Sequence, residues 1–176
     1  MLKQEKQKTE LYTMAHVING DRTWMTHNLS VSHFRNGDPI PEAKTDEEWL
    51  EAGKNKQPAW CWASNDPEER KVYGKLYNHY AVADPRGLSP EGWRIPNGDD
   101  LKSLIIDFQL TDEINLPMAG YRYYGDGSLY AVGSRGLYWS SSVDGTSARL
   151  LAFNSGSASM LSSSRAYGYS VRCFKD

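Results

Sequence analysis

The sequence predicts an α+β domain in which two helices accompany small antiparallel sheets. Three observations carry this expectation. Helical apolar spacing occurs twice, around Trp49 and again from Leu101 to Phe108. Beyond Leu116 that spacing stops, and Gly120, Gly125, Gly127, Gly133, Gly136, Gly145, Gly156 and Gly168 punctuate short alternating runs. An apolar content of 39% over 176 residues leaves room for one core, surrounded by loop and half-exposed strand.

Taken in order, residues 1–12 are polar without apolar periodicity and read as a flexible leader, with residues 13–176 as a single domain. Asn19-Gly20 between two short apolar runs is a hairpin signal, with Trp24 packed inward. Asn36 to Pro39 forms a turn cluster. Thr45 opens the first helix and Glu48 closes a capping box, with Trp49 and Ala52 facing inward and Gly53 at the end. Pro58 to Trp62 returns to extended chain, Trp60 and Trp62 on one face and Cys61 on the other. Asn65 to Arg70 reads as an exposed turn.

Tyr73 to Pro96 concentrates Tyr, Trp, Gly and Pro into a loop-rich interior stretch. The second helix follows, capped by Asn97, with Asp99 and Asp100 at its positive end and Leu101, Leu104, Ile105 and Phe108 on its buried face. Six candidate strands complete the chain: Gly120–Tyr124, Ser128–Val132, Gly136–Ser140, Ala148–Asn154, Ser157–Ser162 and Tyr169–Phe174.

Composition bounds the function classes. The 20 basic residues against 22 acidic argue against a nucleic-acid surface. No apolar run is long enough to insert into a bilayer, and the first ten residues lack the apolar middle of a signal peptide. The two cysteines, Cys61 and Cys173, fit no zinc spacing; they form one disulfide or are two buried thiols. The four histidines, His16, His27, His33 and His79, show no helical metal spacing. There is no phosphate-cradling Gly loop with Lys and no Gly-x-Ser-x-Gly elbow. The expectation is a non-catalytic protein without cofactor or metal.

Several ordered blocks resemble a known family. They are Ile18 to Leu29, Asn36 to Pro41, Trp60 to Asp66, Tyr73 to Val82, Gly92 to Leu104 (GWRIPNGDDLKSL), Leu116 to Arg122, Gly136 to Ser142, and the ending YGYSVRCFKD. Together they resemble the Fibrobacter succinogenes major paralogous domain family, over about Ile18 to Asp176. That resemblance implies a C-type lectin-like fold, related to the formylglycine-generating-enzyme branch, with N- and C-terminal strands near each other. Two departures stand out. Ser89 occupies a place where the family often has Cys; if the family's Cys there pairs with the one matching Cys173, that disulfide is missing here, and Cys173 is a free thiol or pairs with Cys61. The connection from Asp107 to Asn115 is short. Neither cysteine lies in a motif that carries oxidase chemistry over, and the calcium-binding strings of lectins are absent.

What remains is a surface. Tyr121, Tyr123, Tyr124, Tyr130, Tyr138, Tyr167 and Tyr169 lie among Ser, Gly and Asn, a composition like that of antibody binding loops. The predicted ligand contacts are Tyr123, Tyr124, Asp126, Tyr130, Ser142, Asp144, Arg149, Asn154, Ser157 and Ser159, and the partner is a protein or glycan. Some C-type lectin-like proteins are variable targets of diversity-generating retroelements, and Tyr121 to Arg165 is rich in the residues that adenine rewriting yields. The alternatives are an adhesion domain of a larger envelope assembly and, less favoured, an oxidase relative. An extracellular, cell-surface or virion-associated location is expected.

Overall fold

The computed structural model describes residues 16–19, 21–106 and 114–176. The leader, Gly20 of the expected first turn, and Phe108 of the second helix lie outside the described residues. The first hairpin pairs β1 (His16–Asn19) with β2 (Arg22–Met25), placing His16 opposite Met25. Trp24 is buried as expected and stacks on Phe174 with ring centroids 4.6 Å apart.

The first helix, α1 (Asp46–Lys54), starts as its sequence dictates. The Thr45 hydroxyl accepts from the Glu48 amide at 3.2 Å, and the Glu48 carboxylate accepts from the Thr45 amide at 3.2 Å. This reciprocal cap satisfies amides that have no partner inside the helix. After β3 (Trp60–Trp62) comes a correction. Residues expected to form a turn instead begin α2 (Pro67–Tyr73). Asp66 caps it, accepting from the Glu68 and Glu69 amides, and Pro67 fills the first helical position, where no amide donor is needed. β4 (Lys75–Tyr77) then pairs with β3, and a short α3 (His79–Val82) follows, capped by Asn78. With α4 (Gly98–Ile106), the described residues hold four helices rather than the expected two.

The C-terminal half is made of strands. β5 (Tyr121–Arg122) pairs with β6 (Leu129–Tyr130), both shorter than expected. β7 (Gly136–Asp144), β8 (Ser147–Phe153) and β9 (Ala158–Ser164) form an antiparallel sheet in that order. β7 runs past the expected end at Ser140, with an irregularity between Trp139 and Val143. The expected strand Tyr169–Phe174 is only β10 (Phe174–Lys175), which joins β2. The preceding residues instead bridge separate elements, Gly168 to Arg122, Tyr169 to Tyr77 and Ser170 to Tyr138. This segment threads the interior, so consecutive residues meet different neighbours and no single ladder can form.

Three buried clusters hold these parts together. The largest gathers Met25, Phe34, Trp60, Tyr77, Trp139, Tyr169 and Cys173. A second packs Leu101 and Leu104 of α4 against Tyr138, Leu151, Trp24 and Phe174. The third holds Trp49, Cys61, Leu76 and Ala119. Both cysteines are free and buried. In the aromatic stretch Tyr77 is fully buried, while Tyr73, Tyr80 and Trp93 are half-buried.

Arg172 is also buried. Its guanidinium donates to the carbonyls of Met25, Ile114 and Asn115 and to the Asn28 side-chain oxygen, all within 2.6–3.3 Å. It thereby pins the chain after β2 to the segment leading into β5.

Candidate recognition surface

The β5–β6 hairpin and the segment after β9 build one continuous aromatic cluster. The hairpin turn is held by Asp126, whose carboxylate accepts from the Ser128 amide at 2.8 Å and the Tyr130 hydroxyl at 2.6 Å. The Tyr130 bond is the main reason the Asp126 carboxyl titrates below its usual range. Gly127 adopts φ +78°, and a Cβ there would lie 2.5 Å from the Asp46 carbonyl oxygen. Only glycine allows the turn to press this closely on the first turn of α1. Behind the turn, Arg122 donates to Asp46 at 2.9 Å, and its guanidinium lies 5.6 Å from the Trp49 ring. The hairpin is therefore clamped to α1 by backbone contact, an ion pair and a ring.

From this base the tyrosine rings run outward. Trp139 in the core touches Tyr169 at 4.4 Å, and Tyr169 stacks on Tyr167 at 5.3 Å. Tyr167 meets Tyr121, Tyr123 and Tyr124 at 5.8, 5.5 and 4.9 Å. Tyr121 stacks on Tyr130 at 5.7 Å, and Tyr123 meets Tyr130 at 6.0 Å. Tyr169 is buried, and its hydroxyl shares a 3.0 Å hydrogen bond with Ser163. Burial pushes the Tyr169 phenol well above its ordinary range. At the outer end Tyr124 and Tyr130 are 44% and 42% exposed. The cluster thus grades from a packed core ring to solvent-facing rings whose neighbours already fix them. Rings held this way lose little freedom when a ligand covers them.

Of the predicted contacts, the structure gathers Tyr123, Tyr124, Asp126 and Tyr130 here. Tyr121, Tyr167 and Tyr169 complete the cluster, and their place in it was not separable from the other tyrosines by composition. The remaining predicted contacts lie on the strands β7–β9 and in the β8–β9 turn, and most are tied to local structure. Ser142 accepts from the Gly98 amide at 2.9 Å at the start of α4. Arg149 lies against the same glycine. Asp144 accepts from the Ser162 hydroxyl at 2.5 Å. Asn154 accepts from the amides of Gly156 and Ser157 and from the Ser157 hydroxyl, which shapes the β8–β9 turn. Ser159 is exposed on β9.

Both cysteines and one of the four histidines, His79, are enclosed. Burial pushes both the Cys61 and Cys173 thiols up to about 12, which keeps them protonated at neutral pH. His79 is fully buried, lies edge-on to Trp139 at 5.0 Å and donates through Nε2 to the Ser140 carbonyl at 3.0 Å. Burial pulls its pKa down to about 4. Among the described residues, no group of three or more His, Cys, Asp or Glu is arranged to hold a metal ion. No helix among them is long and apolar enough to cross a membrane.

The model of a protein family described as the Fibrobacter succinogenes major domain matches residues 17–129. The match ends at Leu129 within β6, so Tyr130, Tyr167, Tyr169 and the β7–β9 sheet lie beyond it. No curated protein matches the chain.

Proposed function

We propose, for a chain that belongs to the Fibrobacter succinogenes major domain family, a non-catalytic role in recognising a protein or glycan through its tyrosine cluster. The carrying observation is the graded cluster itself, with its outermost rings exposed and its turn clamped to α1. Tyr supplies contact area on two rotatable bonds, and the nearby hydroxyls and the Asp126 carboxylate supply hydrogen-bonding directions. A glycan would stack its apolar sugar faces on Tyr124 and Tyr130; a protein partner would bury the same rings.

The scaffold under this reading is C-type lectin-like. Support comes from the sheet β1-β2-β10, which brings the first and last described strands together, and from helices that precede most of the strands. Retroelement diversification is a finer version of the reading. It calls for sequence change at exposed positions such as Tyr124, Asp126 and Tyr130 over an unchanged interior. An adhesion domain would use the same surface within a larger envelope assembly, at a cell-surface, extracellular or virion location. Burial of both thiols speaks against an oxidase relative.

The test is capture. The wild-type chain is passed over a printed glycan array and a displayed peptide library, and its hits are retested with Tyr124→Ser/Tyr130→Ser. Hits lost on substitution support the reading. Hits unaffected by it place the binding surface elsewhere.

A further inference from the structure

We propose that β9 is the seam of a homodimer, pairing antiparallel with β9 of a second copy of this chain about Leu161. The proposal is independent of the tyrosine surface. Among the described residues, β9 is an edge of the β7-β8-β9 sheet. It pairs regularly with β8 along its whole length, from Ser164 opposite Ser147 to Ala158 opposite Phe153. In such a ladder, alternate backbone amides and carbonyls of an edge strand point away from its only partner. Edges of this length are ordinarily blunted by a charge, a proline or a bulge. The seven residues of β9, ASMLSSS, contain no charge and no proline, and their register shows no bulge.

The middle residue points to the occupant. Leu161 sits opposite the buried Leu150 yet is 45% exposed. Its neighbours Ala158 and Met160 belong to the opposite face, where they pack against the cluster under α4. A twofold axis through Leu161 sets that leucine against its own copy. Met160 of each chain then faces Ser162 of the other, Ser159 faces Ser163, and Ala158 faces Ser164. No like charges meet, so self-pairing carries no electrostatic cost. A foreign peptide would find no charge on this strand to define it, whereas the same strand is complementary to itself.

A seam of one strand pair is small beside the roughly 1,200–2,000 Å² buried in stable interfaces. The dimer is therefore reversible, and its fraction rises with concentration. Because Ser163 also bonds Tyr169, pairing fixes two tyrosine surfaces to one continuous sheet.

Light scattering on the full chain across a concentration series tests this. The molar mass should climb from 19.9 kDa toward twice that value. Leu161→Lys, which places two like charges face to face at an already exposed position, should hold the mass at the monomer value with unchanged circular dichroism. Leu161→Cys should cross-link to its own copy under mild oxidation, while Ser159→Cys, whose opposite number is Ser163, should not. A wild-type mass that stays monomeric at every concentration overturns the proposal. So does a dimer indifferent to Leu161→Lys, or equal cross-linking at both positions. Amide exchange adds a further arm. A monomer whose β9 amides are protected, and lose protection when residues 1–15 are removed, would assign the edge to this chain's own N-terminal segment and also overturn the dimer.

Discussion

Two groups of aromatic rings in this protein show how the same residue types serve two ends. In the interior, several rings spend their polar atom on backbone. Tyr77 donates to the Val31 carbonyl at 2.7 Å, Trp60 to Ile40 at 3.0 Å and Trp139 to Tyr77 at 2.8 Å. These bonds stitch together segments distant in sequence, which is what a buried polar atom needs and what a single core requires. At the surface the tyrosines touch chiefly one another, and the Tyr130 hydroxyl bonds a side chain, Asp126. The interior rings therefore determine whether the chain folds. The outer rings are positioned by the fold and return little stability to it.

That contrast can be broken most forcefully from the inside. Trp139→Ala removes a fully buried ring together with its bond to Tyr77, and should cost about 3–5 kcal/mol in denaturant unfolding. A much smaller loss would mean that the interior is less interlocked than these contacts imply.

A second prediction concerns acid. His79 has a folded-state pKa of about 4 against an ordinary 6.5. The unfolded chain therefore binds more protons than the folded one between those values. Stability contributed by the neutral ring is present above about pH 6.5, is lost as pH falls toward 4, and changes no further below that. The loss should reach roughly 3 kcal/mol. His27, also held low by burial, adds in the same direction. His79→Phe should flatten part of the slope in urea titrations between pH 4 and 6.5. An unchanged slope would remove His79 from the account.

Gly127 seats the turn that carries the outer rings against α1. Gly127→Ala forces a left-handed conformation on a residue whose Cβ has no room against Asp46, and should cost about 1–3 kcal/mol. It should also reduce binding by displacing Asp126 and Tyr130, which a calorimetric titration with any captured ligand would show.

Much of the fold was legible because local chemistry agreed with the final structure. The Thr45–Glu48 box, the inward Trp24 and the α4 face of Leu101 and Leu104 each follow from spacing alone. The misses have physical reasons. α2 has no fully buried residue, so it carries no apolar periodicity, and Asp66-Pro67 begins a turn and a helix equally well. The segment Tyr169–Phe174 reads as a strand because its apolar and polar residues alternate, yet all of it is buried and its residues bridge separate partners. The deep burial of Arg122 and Arg172 was hidden, since charged residues ordinarily read as surface and only tertiary acceptors reveal otherwise. For the site, composition identified a tyrosine-rich region. It could not say that Tyr138 and Tyr169 are interior while Tyr124 and Tyr130 face solvent, because that division depends on which strands pair.

On the proposed reading, stability resides in the interior rings and recognition in the outer ones. Its most direct test is the Tyr124→Ser/Tyr130→Ser double variant, measured for thermal unfolding and for binding to the glycans or peptides that the wild-type chain captures. The expected result is an unchanged melting temperature with binding lost. Retained binding, or a collapse of the melting temperature, would contradict it.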